Sequence, residues 1–356
     1  MYCISNTRKR QCLLNNDGRK ARIVMKNFIY VFILLLSVNL LVPSVYHYIY
    51  SETGDTLYPS DGETPSQTSV SDNNSSENTK FTLYNLETGT TDEIELIPFL
   101  IGSAACEMPA SYEEEAIKAQ MIACHSYYLY CQENDVPDDS INLSYDERNM
   151  QKYASAERLK EFWGNGFEEN YSKFLRCAED IRDIVVTYNG NAALTAYYAV
   201  SCGTTQSSEK EWGTPLDYLI PVDSPYDALS DDYLKIKTYS VQEMYDRFML
   251  NFAGLELDME HPEEWIGEIN YNQSGYVDTV KINKSKIRGK DFREYFELKS
   301  CCFMIFYQDN AFSIATKGYG HGVGMSQFGA NRLALEGKDF REILQHYYPG
   351  TKTEYV

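Results

Sequence analysis

Between Phe28 and about Val45 the chain carries a continuous apolar run in which Asn39 is the only strongly polar residue and Pro43 stands near the far end. Such a run approaches the roughly 20 residues that cross a bilayer as one helix. Before it stand Arg8, Lys9, Arg10, Arg19, Lys20, Arg22 and Lys26 against Asp17 alone, so the positive-inside tendency keeps the N-terminus in the cytoplasm. A cleaved signal peptide starting at Met25 is the alternative. No small-residue cleavage site follows the run closely, which favours an uncleaved anchor. The expected organisation is a basic cytoplasmic N-terminus over 1–27, a transmembrane helix over 28–48, a linker over 49–80 and a folded domain over 81–356. That domain would sit outside the cytoplasm on a single-pass anchor in the cell membrane.

The chain holds 32 Lys plus Arg against 52 Asp plus Glu. Leaving out the seven bases and one acid of residues 1–50 gives 25 against 51, a net charge of −26 for the remainder. That balance argues against nucleic acid as a partner. Residues 51–80 contain almost nothing that can be buried and read as a flexible tether. Nine cysteines occur, seven of them beyond the apolar run. Their odd, irregular set argues against a disulfide framework, and no zinc-spaced Cys/His cluster occurs. Cys124 and Cys131 suit an apolar helix stripe, so buried thiols are expected.

The folded part reads as α+β, one main unit of helices and antiparallel hairpins. From Phe81 the text FTLYNLETGTTDEIELIP alternates about a turn, as a hairpin does. FLIGSAACE then turns helical until Met108 and Pro109 interrupt, and Ser111 with Glu114 forms a capping box before a long helix. RDIVVTYNGNAALTAYYAVSC is expected to fold back on itself about Asn189-Gly190. The loop from Gly203 to Asp227 is long and aperiodic, a common place for function. Helices are expected over 240–254 and 289–296, and a glycine-rich loop, helices and a short strand close the chain.

Glu107 is the strongest candidate for catalysis. An acid placed at a helix junction among Phe99, Cys106 and Met108 loses solvation, and its carboxyl pKa rises toward the range useful to a general acid. The competing reading has Glu107 capping the helix that follows Pro109, which would lower its pKa. Position alone leaves both open. GYGHGVGMSQFG places His321, Ser326 and Gln327 among five glycines, where a ligand can approach the backbone closely; a tight turn with His321 hydrogen-bonded inside it is the other reading. No Walker loop and no GxSxG elbow is present. Cys202 with His321 is a candidate Cys/His pair, and Glu209 or Glu211 could join Glu107 in a two-carboxylate glycosidase.

Three stretches together resemble one family: CEMPASYEEEAIKAQMIAC, TAYYAVSCGTTQSSEKEWGTPLDYLIPVDSPYD and GYGHGVGMSQFGANRLALEGKDFREILQHYYPGT. Their order and spacing resemble the stage II sporulation protein D family, which also includes amidase enhancers of bacterial cell walls. The resemblance implies a peptidoglycan lytic transglycosylase acting in forespore engulfment, with Glu107 as its single acid and base. It further implies glycan strands denuded of stem peptides as substrate, no cofactor, and partnership with the sporulation amidase, stage II sporulation protein P, and a membrane scaffold protein. His125, Ser201, Lys210, His321, Ser326 and Gln327 are the expected cleft-lining residues. A noncatalytic amidase enhancer is the alternative. Two departures stand out: His125 replaces the family's Arg, and Asn149 and Met150 occupy positions that are zinc ligands in some members, so no zinc is expected there.

Overall fold

The computed structural model describes residues 80–136, 143–252 and 254–356. The expected cytoplasmic segment, transmembrane helix and linker lie outside the described residues, and no described helix is long and apolar enough to cross a membrane. The mixture of helices and mainly antiparallel strands is α+β, as the sequence implies.

The opening hairpin forms as expected. Strand β1 (Lys80–Asn85) pairs antiparallel with β2 (Thr90–Glu95), with Phe81 opposite Ile94. Phe81 stacks on Phe99 at 4.2 Å between ring centroids, fixing the hairpin to helix α1 (Leu96–Glu107). Helix α1 buries residues on nearly every side, the pattern of a core helix rather than a surface one. It ends because Met108 turns extended ahead of Pro109, whose ring disfavours helical backbone in the residue before it.

Helix α2 (Glu114–Glu133) packs on α1. Its N-cap is Glu113, whose N–H donates to Asn331 Oδ1 at 2.8 Å. The expected capping box from Ser111 is therefore absent: Glu113 is an N-cap without a side-chain cap, and Asn331 satisfies only its own N–H. Strand β3 (Ser144–Tyr145) adds parallel to β1, followed by helices α3 (Ala156–Trp163) and α4 (Phe167–Ile181). Between β3 and α3 the chain crosses α1 at Gly102, where a Cβ would stand 2.3 Å from Ala154 O and 2.6 Å from the Tyr153 ring. Only glycine permits that crossing.

Strand β4 (Ile184–Tyr188) turns at Asn189 and Gly190, both at positive φ, into β5 (Asn191–Ala192). The expected long hairpin stops there. The next run forms β6 (Tyr197–Tyr198), which pairs parallel with β13 (Met325–Ser326) instead, because Ala196 O accepts from Met325 N–H at 3.0 Å and from Tyr348 Oη at 2.8 Å. Residues 208–212 form a short helix, α5 (Ser208–Trp212). Helices α8 (Gln327–Leu335) and α9 (Phe340–Tyr347) and strand β14 (Lys352–Tyr355), which pairs with β4, complete this layer.

Residues 234–317 build a second core. Strands β7 (Leu234–Ser240), β11 (Phe303–Gln308) and β12 (Ala311–Lys317) form one sheet, and β8 (Ile266–Tyr271), β9 (Val277–Ile282) and β10 (Ser285–Arg288) another. With helices α6 (Val241–Asn251) and α7 (Gly289–Tyr295) they enclose Phe248, Trp265, Phe292, Phe296, Phe303 and Phe312. Both helices lie where the sequence predicts them.

Candidate functional site

A cleft of about 450 Å³ opens where the C-terminal end of α1 meets the glycine-rich turn, a volume within the range of small-ligand sites. Glu107, the last residue of α1, lines it. The capping reading is corrected here: the following helix starts only at Glu114, too far on for Glu107 to meet its first N–H groups. Instead Glu107 Oε2 accepts from Gln327 Nε2 at 3.4 Å. Burial raises its pKa, opposed by that hydrogen bond and by the positive charge of Lys152. A helix C-terminus also disfavours negative charge.

Gln327 opens α8 and bridges to Gln120 Oε1, again at 3.4 Å. Gln120 donates to Cys124 Sγ at 3.4 Å, and Cys124 reaches Tyr197 Oη at 3.5 Å. Gln120, Cys124 and Tyr127 recur at i, i+4 and i+7 on α2, which puts them on one face; Tyr127 lines the cleft.

His321 also lines it. Its Nδ1 accepts from Val323 N–H and its Nε2 faces Tyr197 O, each at 3.1 Å. With one nitrogen accepting, the other carries the proton, so the ring is neutral and of fixed tautomer. Burial first, then the charges of Arg293 and Lys290, push its pKa down to about 4. Both readings of the turn are thus partly right: His321 is tied inside it and still presents a ring edge to the cleft. The turn can bend this way because Gly324 has φ +78° and would set a Cβ 2.0 Å from Ala196 O. Trp212, at the end of α5 and 41% exposed, faces His321 at 5.6 Å between centroids.

Four expected lining residues lie elsewhere. His125 is 3% exposed, edge-on to Phe81 at 5.4 Å; burial pushes its pKa down to about 4 against a hydrogen bond with the Ile184 backbone. Two positions from Tyr127 on a helix, it faces nearly the opposite way. Ser201 and Ser326 are wholly buried and serve Asp227: Ser201 N–H donates to Oδ2 at 2.8 Å and Ser326 Oγ to Oδ1 at 2.9 Å. Ser326 Oγ also caps α8 through Gly329 N–H. Lys210 points to Asp278 at 3.5 Å in an exposed pair. Of the expected residues, Glu107 and His321 line the cleft, Gln327 is outside the lining and joins the site through its hydrogen bond to Glu107, and His125, Ser201, Lys210 and Ser326 are held away from the lining.

The rival pairings do not form. Cys202 Sγ bonds Ser274 O at 3.4 Å, and a hydrogen bond with Cys302 is the first cause of a thiol pKa pulled down to about 7; both nitrogens of His321 are committed to backbone. Neither Glu209 nor Glu211 lines the cleft; Glu211 accepts from Gln206 Nε2 at 2.8 Å, while Gln206 Nε2 also donates to His321 O at 2.6 Å.

Sequence reasoning missed Tyr127, Lys152, Tyr197 and Trp212, all in the lining. The helical spacing from Gln120 to Tyr127 was the available signal for Tyr127. Lys152 had none, since it reaches the cleft only by the crossing at Gly102.

Comparison with known proteins places these residues in context. A family model described as "Stage II sporulation protein" matches residues 84–188. The stage II sporulation protein D of Bacillus amyloliquefaciens is 32% identical over 271 residues, 75% of this chain and 76% of that protein. The protein of the same name from Bacillus subtilis is 32% identical over 273 residues, 76% and 77% of the two chains. The amidase enhancer of Bacillus subtilis is 25% identical over 295 residues, covering 69% of this chain and 39% of that one.

Proposed function

The chain belongs to the stage II sporulation protein D family, with a role in sporulation and the cell wall, and from that premise we propose that it is a lytic transglycosylase of peptidoglycan. One observation carries the reading: a single carboxyl group, Glu107, stands in a ligand-sized cleft where burial favours its protonated form. Glu107 donates its proton to the glycosidic oxygen leaving C1 of the muramic acid. The C6 hydroxyl of the same sugar attacks the oxocarbenium-like C1, and the Glu107 carboxylate takes the hydroxyl proton. A 1,6-anhydro sugar results, and no second carboxylate has to activate water, in contrast to hydrolytic glycosidases. Trp212 supplies an aromatic face for sugar stacking, and Gln327 orients the carboxyl.

In this reading the substrate is glycan stripped of stem peptides, made available by the sporulation amidase, stage II sporulation protein P, with a membrane scaffold protein holding the assembly. The apolar run at Phe28 anchors the chain, N-terminus in the cytoplasm and catalytic domain outside. The likeness to an amidase enhancer favours one alternative, a glycan-gripping module that activates another hydrolase. Incubating the protein alone with denuded glycan separates the two. Glycan cleavage without any amidase, abolished by Glu107→Gln with binding retained, supports the transglycosylase; no glycan cleavage, with faster release of stem peptides from intact peptidoglycan when an amidase is added, supports the enhancer.

A further inference from the structure

Lys152 is the only cation among the described residues lining the cleft. His321 is neutral there, and Lys210 pairs with Asp278 outside the lining. Two features make Lys152 costly to keep. Its backbone adopts φ +64°, in the left-handed region that a lysine enters only at some expense. Its side chain is half-buried, and burial works against the charged ammonium. The turn before it is firmly built: Asp146 and Gln151 exchange backbone hydrogen bonds at 3.2 and 2.9 Å, and Asn149 Nδ2 donates to Asp146 Oδ2 at 2.8 Å. Next to it the Tyr153 ring stands edge-on to Tyr145 at 5.3 Å. Residues 81–356, with 24 Lys plus Arg against 45 Asp plus Glu and so a net charge of −21, thus place one ammonium in the lining of the cavity that holds their acid.

We propose that Lys152 reads a free carboxylate on the sugar whose C1–O bond breaks, which for muramic acid is the lactyl carboxylate at C3. This rests on the glycan reading above. A stem peptide converts that carboxylate into a neutral amide, which an ammonium does not pair with, so Lys152 selects peptide-free strands. Pairing has a second consequence. The positive charge of Lys152 favours ionised Glu107 in the empty cleft; once the lactyl carboxylate neutralises it, Glu107 keeps its proton until the glycosidic oxygen takes it.

The test is equilibrium binding by the full-length chain carrying E107Q, so that strands stay uncut. The two probes are amidase-stripped glycan strands and the same strands with their lactyl carboxylates capped as methylamides. E107Q is expected to bind the carboxylate strands at least about tenfold more tightly, the scale of a charge-assisted hydrogen bond in a partly dry site. Adding K152Q should bring both strands to the weaker affinity, and adding K152R should restore the preference. Equal binding of both strands by E107Q overturns the proposal, as does a K152Q loss of the same size on both. Binding of neither strand overturns the glycan reading with it. Absence of anhydro product from the wild type, with the carboxylate preference intact, overturns only the catalytic reading. If the double variant does not fold, the two-strand comparison in E107Q alone decides.

Discussion

Gln327 Nε2 meets Glu107 Oε2 at 3.4 Å although 220 residues of chain separate them. The contact joins the end of the first described helix to the start of α8, and the cleft exists because those two helix ends converge. Its chemistry runs against burial: the hydrogen bond favours the ionised carboxylate while desolvation favours the acid, and desolvation is the larger cause.

Replacing Gln327 by Leu removes the interaction that lowers the Glu107 pKa. The alkaline limb of the kcat/KM profile, which reports loss of the proton from the free enzyme's acid, should therefore move to higher pH. A pH–rate series on denuded glycan measures it, and a limb that moves to lower pH contradicts the assignment of Glu107 as the acid.

The same raised pKa has a cost in stability. A carboxyl whose folded pKa lies above its unfolded value contributes fully below the unfolded pKa and loses that contribution as pH rises through the folded one. Glu107→Gln should thus stabilise the fold at pH 8, with a gain on the order of 1 kcal/mol, and the gain should shrink toward pH 4. Urea unfolding at the two pH values checks this; a variant less stable at pH 8 would count against a strained acid.

For His125 the linkage runs the other way. Its pKa, pushed down to about 4 from an ordinary 6.5, gives stability that is present above pH 6.5 and lost as pH falls toward 4. Between pH 7 and 5 that loss is on the order of 2 kcal/mol. His125→Phe should flatten the acid decline and leave glycan affinity unchanged to within about twofold, since His125 lies in the core. A large loss of affinity in a variant of normal stability would return His125 to the site.

Gly324→Ala places a Cβ 2.0 Å from Ala196 O at a backbone angle unfavourable to alanine. Either the turn moves or β6 and β13 separate, at a cost of roughly 2–4 kcal/mol. Thermal unfolding should show it, together with loss of the His321 tie to Tyr197; a neutral substitution would mean that the turn is not what shapes the cleft.

Much of this architecture is legible in the sequence wherever the signal is local. Asn189-Gly190 predicts its turn because both residues suit positive φ, and the helices at 241–251 and 289–295 follow from their own residues. Glu107 stands out because an acid at the end of an apolar helix is conspicuous. Long-range placement is what escapes. Ser201 and Ser326 share residue types with ligand-binding serines, yet Asp227, buried and 26 residues beyond Ser201, draws both inward. His125 and Tyr127 are neighbours in sequence and opposed on the helix. Lys152 becomes a cleft residue only because Gly102 lets its loop cross α1, a contact that no spacing announces.

The central claim is that Glu107 both donates and recovers a proton while the sugar closes on its own C6 hydroxyl. Mass analysis of denuded glycan digested by the full-length protein, with no amidase present, tests it most directly. The account predicts fragments ending in 1,6-anhydromuramic acid from the wild type and none from Glu107→Gln. Fragments with ordinary reducing ends, or the same anhydro products from the Glu107→Gln protein, would contradict it.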